Sequence, residues 1–258
     1  AITVAAAMVN ALKVAGKKIE EIKLVASGAG AAALACLNLL LEIGLKRENV
    51  FVTDIAGVVY EGRTELMDED KAKFAQKTEL RTLGEVIAGA DAFLGLSAGN
   101  VLKKDMVAKM ADKPIIFALA NPSPEILPED VKAVRDDAII ATGRTDYPNQ
   151  VNNVLCFPYI FRGALDCGAT KITESMKLAC VREIAALAEA EQSEEVAAAY
   201  VGQSLSFGPE YLIPKPFDPR LMLIVAPAVA QAAADCGVAQ RPIQDMDAYR
   251  EHLKTFVY

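Results

Sequence analysis

A chain of 258 residues with 53% hydrophobic and 24% charged side chains can bury a sizeable core and lacks the composition of a disordered segment. Its 34 acidic against 27 basic side chains leave a formal charge of −7. That balance argues against a nucleic-acid surface, which needs clustered Lys and Arg to displace counterions from phosphates, and the single histidine, His252, disfavours a His-rich metal site and most His-based catalysis.

The chain opens Ala1-Ile2-Thr3, with no initiator Met and no loop before a helical stretch, so it reads as a piece of a longer protein. No apolar run reaches the ~18 residues of a membrane span, and the start lacks a basic n-region and cleavage site. Cys36, Cys156, Cys167, Cys180 and Cys236 are scattered, with no C-x-x-C pair. Such cysteines are expected as reduced thiols packed like small hydrophobes, hence a cytoplasmic protein without membrane or nucleic-acid partners.

Thr3–Ala15, mostly Ala, Val, Met and Leu, predicts a buried helix. Five apolar runs follow: Ile22–Ser27, Asn49–Asp54, Ala92–Ser97, Pro114–Ala120 and Ala138–Thr142. They lack polar alternation, as strands buried on both faces of a parallel sheet do. Helical segments are expected between them at Ala31–Ile43, Asp68–Gln76, Leu83–Ala88, Lys103–Met110 and Pro128–Val134. This alternation predicts a doubly wound α/β core over about residues 20–145, with ligands at the carboxyl ends of the strands. Beyond it a helical C-terminal layer is expected, at Asn152–Cys167, Ser175–Ala190, Pro219–Cys236 and Met246–Phe256. Asp218-Pro219 supplies a cap and a proline at a helix start, while three prolines make Phe207–Asp218 an extended connector. The alanine-rich Ile184–Tyr200 is expected to be helical, and the whole chain to form one domain.

Gly28-Ala29-Gly30-Ala31-Ala32-Ala33 has the form G-x-G-x-x-A between an apolar run and a helix, the setting of a dinucleotide-binding turn on a Rossmann-type sheet. Gly28 would permit the turn, Gly30 would admit a pyrophosphate to the helix end, and Ala33 would let the helix sit close to the sheet. Asp54 ends the second run about where a ribose-binding carboxylate belongs. Its charge would repel a 2′-phosphate, but Arg63, Lys71 and Lys73 follow and either neutralise that phosphate or sit as solvated surface charges. The residues themselves leave NAD and NADP open. Ser97-Ala98-Gly99-Asn100 follows the third run, and Asn121, held before Pro122, can present its amide to a nicotinamide or a carboxylate. Thr142-Gly143-Arg144 ends the fifth run. Beyond it Asn149, Gln150, Asn152 and Asn153 supply more amides than a helix cap needs, and Asn153 is the expected ligand contact.

Gly28–Ala33, Asp54, the string Phe117–Pro122, and Asn149–Asn153 followed by Phe157-Pro158 resemble the NAD(P)-binding domain of malic enzyme. The string Phe207–Arg220 is similar to the bacterial branch, and the chain resembles the large form fused to a phosphotransacetylase-like domain. The resemblance runs over essentially all of residues 1–258. It implies oxidative decarboxylation of (S)-malate to pyruvate and CO₂, reduction of NAD(P), and Mg²⁺ or Mn²⁺. It also implies a homo-oligomer, a cofactor contact from Asn121 and substrate contacts from Asn121 and Asn153. Lys71 lies where NADP-preferring members carry a lysine for the 2′-phosphate, which favours NADP. The family's tyrosine acid, lysine base and metal-binding carboxylates are expected upstream of Ala1, so none is assigned here. Asp68-Glu69-Asp70 reads as a solvated acidic turn. The chain alone is therefore expected to bind dinucleotide without turning over malate. Two other readings share these features: a non-catalytic dinucleotide-sensing module, and the cofactor domain of an amino-acid dehydrogenase.

Overall fold

The structure, a computed structural model, describes residues 1–191, 194–200 and 205–256. The chain divides into two compact units, one of Ala1 with Met8–Val151 and one of Ile2–Ala7 with residues from Asn152 onward. The first helix, α1 (Ile2–Ala15), contributes to both and buries most of its Ala, Val and Met side chains.

The first unit is built on a six-stranded sheet. Its strands are β1 (Leu24–Ser27), β2 (Val50–Asp54), β3 (Gly57–Val58), β4 (Ala92–Gly95), β5 (Ile115–Ala118) and β6 (Ile139–Thr142), in the order β3-β2-β1-β4-β5-β6. The pairings β1–β2, β1–β4, β4–β5 and β5–β6 are parallel. Leu24 aligns with Val50 and Ala92, Ala92 with Ile115, and Ile115 with Ile139, so the five parallel strands start level. The sheet is the expected doubly wound one, with its topological switch between β1 and β4, where ligands of such folds bind. Val25, Phe93, Ile116 and Ile140 share a face and join Val58, Ile87, Val107 and Val131 in one apolar cluster. Each fully buried side chain of this size contributes about 1.5–3 kcal/mol.

Strand β3 was not among the five expected. Two residues antiparallel to the end of β2 are too short for any periodic signal. Helix α2 (Ala31–Glu42) is long, whereas α3 (Glu69–Ala72), α4 (Leu83–Val86), α5 (Lys104–Val107) and α6 (Pro128–Lys132) are single turns, shorter than their segments predict. For α3 the cause is tertiary. The Gln76 N–H donates to Val59 O at 3.2 Å and its amide to Val50 O at 2.8 Å, which draws the chain out to the sheet edge. For α5 the last turn tightens to i→i−3 bonds at Lys109 and Met110, and the Ala111 N–H leaves for Ala90 O.

In the second unit the expected helix Asn152–Cys167 is split. One 3₁₀ turn, Asn153–Leu155, precedes α7 (Phe157–Asp166), because Pro158 fits only the first turn of a helix. Next come α8 (Glu174–Glu189), α9 (Glu194–Ala199), α10 (Arg220–Asp235) and α11 (Met246–Lys254). Within the predicted Ile184–Tyr200 helix, Ala190 is extended (φ −73°, ψ 154°), and Gln192 and Ser193 lie outside the described residues. Pro219 occupies the N-cap of α10 instead of its first turn, and the buried Asp218 carboxylate accepts the Arg220 N–H at 3.0 Å. The connector Phe207–Asp218 has no helix or strand, yet it buries Tyr211, Leu212 and Ile213. Helix α10 packs on α7 closely enough that a Cβ at Gly163 would overlap Ala226 O. The α11 residue Tyr249 donates from its hydroxyl to Asp166 of α7 at 2.6 Å. All five cysteines are free. Four are buried as expected, while Cys236 is exposed at the end of α10. Among the described residues no helix is long and apolar enough to cross a membrane.

Candidate functional site

The first unit gathers most of the predicted site residues at the carboxyl ends of its parallel strands. Gly28 follows β1 with φ +109°, a conformation L side chains avoid. A Cβ there would lie 2.5 Å from Leu96 O, and the Gly28 N–H donates to Thr53 O at 2.8 Å. Structure alone therefore demands this glycine. Gly30 differs. As the N-cap of α2 it has an ordinary φ of −84°, and a Cβ would meet nothing within 4 Å. Neither backbone nor neighbours require glycine here, so the position leaves an open edge. Ala31 and Ala32 are exposed, Ala33 is buried, and no side chain caps the helix. Free N–H groups and the positive helix end face that open edge, an arrangement that suits an anion.

Beside it, β2 ends in Asp54. Arg63 Nη2 donates to both its carboxylate oxygens at 2.7 Å, Lys71 Nζ to Oδ2 at 2.9 Å, and the Ala56 N–H to Oδ1 at 2.9 Å. These four contacts occupy the carboxylate's four lone-pair positions. Burial alone would raise the Asp54 carboxyl, but the Arg63 and Lys71 hydrogen bonds outweigh it, and the net shift is downward. Arg63 and Lys71 are not solvated surface charges. Both are buried, and both also donate to backbone carbonyls: Arg63 to Gly57, Val58 and Glu65, and Lys71 to Leu66. Lys73, in contrast, is a surface charge paired with Asp70. One residue past this knot, Ile55 is 95% exposed, a large apolar side chain at the mouth of the strand ends.

Across the switch point, Ser97 follows β4 and Asn121 follows β5. Both are exposed, and the Asn121–Pro122 peptide is cis. The Ser97 hydroxyl lies 2.8 Å from that of Ser27, at the end of β1. Glu125, in the loop after β5, carries no assignment from the sequence. It is fully buried, and it accepts the N–H of Ser97 at 2.9 Å and that of Ala120 at 3.0 Å. Nothing in its surroundings in sequence signals burial, since a Glu among prolines reads as a surface loop. After β6, the Arg144 guanidinium pairs with Asp146 at 2.6 Å.

Three of the four amides separate by role. Asn149 is buried at φ 55° and donates from its amide to Ile140 O at 2.9 Å, a structural position. Asn152 caps the 3₁₀ turn by accepting the Val154 N–H at 3.0 Å. In the second unit, the Asn153 side chain is exposed at the start of that turn. As for a metal, Asp68 caps α3 through the Lys71 N–H, and among the described residues no three His, Cys, Asp or Glu converge on one point. These residues do not fit a divalent ion.

A family model described as "Malic enzyme, NAD binding domain" matches residues 1–200. Over its full length the chain is 63% identical to an NAD-dependent malic enzyme of Rhizobium meliloti and 62% identical to an NADP-dependent malic enzyme of Salmonella typhimurium. It spans 34% of each of them. Among solved structures, the Pyrococcus horikoshii malic enzyme matches with a TM-score of 0.86 at 36% identity, over 100% of this chain and 58% of that one. The Entamoeba histolytica malic enzyme gives 0.86 at 31% identity, over 99% of this chain and 52% of that one. The chain belongs to the malic enzyme family, as its NAD(P)-binding domain.

Proposed function

We propose that residues 1–258 form the dinucleotide-holding domain of an enzyme that oxidatively decarboxylates (S)-malate to pyruvate and CO₂, with NADP preferred over NAD. The sheet part is about residues 20–145 and the helical part about 146–258. The observation that carries the dinucleotide role is the open edge at Gly30, where nothing among the described residues explains the glycine. The free N–H groups of the first α2 turn would hold the pyrophosphate, and exposed Ile55 would lie against the adenine. The preference for NADP is supported by Asp54, Arg63 and Lys71. With both cations on one carboxylate the group carries one net positive charge, and Asp54 keeps no free lone pair for a ribose hydroxyl.

When bound, the nicotinamide would supply the acceptor for a hydride from the substrate carbon. The Asn121 amide would donate to substrate carboxylate or cofactor carboxamide without exchanging a proton, and Asn153 is proposed by itself as a substrate contact. Acid, base and metal-binding groups would come from other parts of the protein, so the chain alone binds dinucleotide without turning over malate. A cytoplasmic homo-oligomer using Mg²⁺ or Mn²⁺ completes the proposal.

Calorimetry with NADP and NAD, in the absence of malate and metal, tests this. The expected result is saturable binding of both, tighter for NADP, with Lys71→Glu weakening NADP about tenfold more than NAD. Binding of neither would reject the dinucleotide role, and an equal effect of Lys71→Glu on both would reject the preference.

A further inference from the structure

Glu125 is a buried carboxylate with which no cation among the described residues is paired, an unusual thing for a fold to retain. Its exposure is 0%, and removing a carboxylate from water is costly unless its oxygens are satisfied. Here they are satisfied by the chain itself. Oε1 takes the Ser97 N–H at 2.9 Å with the Ser97 hydroxyl at 3.5 Å, and Oε2 takes the Ala120 N–H at 3.0 Å. Backbone bonds run alongside, from the Asn100 N–H to Pro124 O and from the Leu102 N–H to Glu125 O, both at 3.0 Å. The sheet leaves room for the carboxyl by placing Gly95 at the end of β4, where a Cβ would overlap it. Through Ser97, whose hydroxyl meets that of Ser27, one carboxylate is linked to the ends of β1, β4 and β5.

What it holds are loops, not core. Ser97 and Asn121 are both exposed, and each is either bonded to Glu125 or next in sequence to a residue that is. In the strand order β3-β2-β1-β4-β5-β6, Asp54 and Ile55 lie on one side of the switch between β1 and β4, while the two loops lie on the other. A dinucleotide bound across that switch puts its halves on opposite sides. With the adenine half beside Asp54 and Ile55, the β4 and β5 loops face the nicotinamide half. Carboxylate-to-N–H bonds are stronger than neutral ones, and a single rigid acceptor fixes two loops relative to each other.

We propose that Glu125 is a positioning residue. Its carboxylate clamps the Ser97 and Asn121 loops and thereby sets the subsite for the nicotinamide half of the cofactor. The proposal rests on the dinucleotide reading above. Glu125→Gln keeps the shape but sets an NH₂ group against one of the two N–H donors, so one tie is lost.

The test is titration of wild type and Glu125→Gln with two probes, NADP and 2′-phospho-ADP-ribose, which lacks the nicotinamide. The expected result is NADP weakened about tenfold or more, with 2′-phospho-ADP-ribose unchanged within about twofold. General damage to the fold would weaken both alike. Parallel loss of both probes, or no change in either, overturns the clamp. Failure of wild type to bind either probe overturns the dinucleotide reading, and the clamp with it. A second measurement needs no variant. In the ligand-free protein, the amides of Ser97 and Ala120 should exchange slowly with D₂O even though Ser97 is exposed, and unprotected rates at both would overturn the proposal.

Discussion

Asp54→Asn separates charge from shape at the centre of the site. The Arg63 side chain is 3% exposed and that of Lys71 11%, so the substitution leaves two buried cations without their counter-ion. Removing one member of a buried pair costs about 3–5 kcal/mol. The low end applies here, about 3 kcal/mol, because Arg63 keeps its bonds to Gly57 O and Val58 O at 3.1 Å and to Glu65 O at 2.9 Å. For a unit of this size that corresponds to roughly 6–12 °C in Tm. The assay is urea unfolding at pH 7, with thermal unfolding beside it, and adding Lys71→Met to the variant should recover part of the loss. The sign with pH follows from Asp54 itself. Burial raises its carboxyl, the Arg63 and Lys71 bonds lower it by more, and the folded value lies below the ordinary one of about 3.9. Its contribution is therefore complete above pH ~4 and lost as pH falls through the depressed folded value, so the gap between wild type and variant should close in acid. A loss below about 1 kcal/mol at pH 7, or a gap unchanged at pH 3, would refute the ion-pair account.

Gly28→Ala should cost at least 2 kcal/mol or abolish folding, since φ is +109° and the Cβ would meet Leu96 O at 2.5 Å. Gly30→Ala should fold within about 0.5 kcal/mol of wild type but weaken NADP roughly tenfold, and comparable unfolding curves for the two variants would contradict the contrast. Ile55→Ser should leave stability unchanged because the residue is 95% exposed, while losing about 1 kcal/mol of affinity for NADP, roughly fivefold, by calorimetry. Undiminished affinity would remove Ile55 from the adenine subsite. Asn153→Ala in the full-length protein should fold normally and raise KM for malate, and unchanged malate kinetics would reject the substrate contact.

How much of this the sequence disclosed follows from the range of each interaction. The five parallel strands were legible because burial on both faces leaves continuous apolar runs, from Leu24–Ser27 to Ile139–Thr142. Their ends drifted by one or two residues. The G-x-G-x-x-A turn was legible too, since Gly28 and Ala33 answer to local geometry. Long-range contacts were not. That Arg63 and Lys71 would fold back on Asp54 depends on positions 9 and 17 residues apart meeting in space, and as isolated charges they read equally well as surface residues. The early end of α3 is set by Gln76 reaching Val50 across the sheet edge, 26 residues away. Glu125 was hidden most deeply, because its partners at Ser97 and Ala120 are backbone N–H groups, which leave no mark in sequence. Of the four amides only counting was possible, and the structure divides three of them into a buried strut at Asn149, a cap at Asn152 and an exposed side chain at Asn153.

Hydrogen–deuterium exchange of the protein with and without saturating NADP tests the central claim most directly, because it reports where the cofactor lies as well as whether it binds. The account predicts new protection confined to the strand-end segments: Gly28–Leu34, Asp54–Val58, Leu96–Asn100 and Leu119–Glu125. Protection confined to the helices from α7 to α11, or no protection anywhere in Gly28–Leu34, would contradict it.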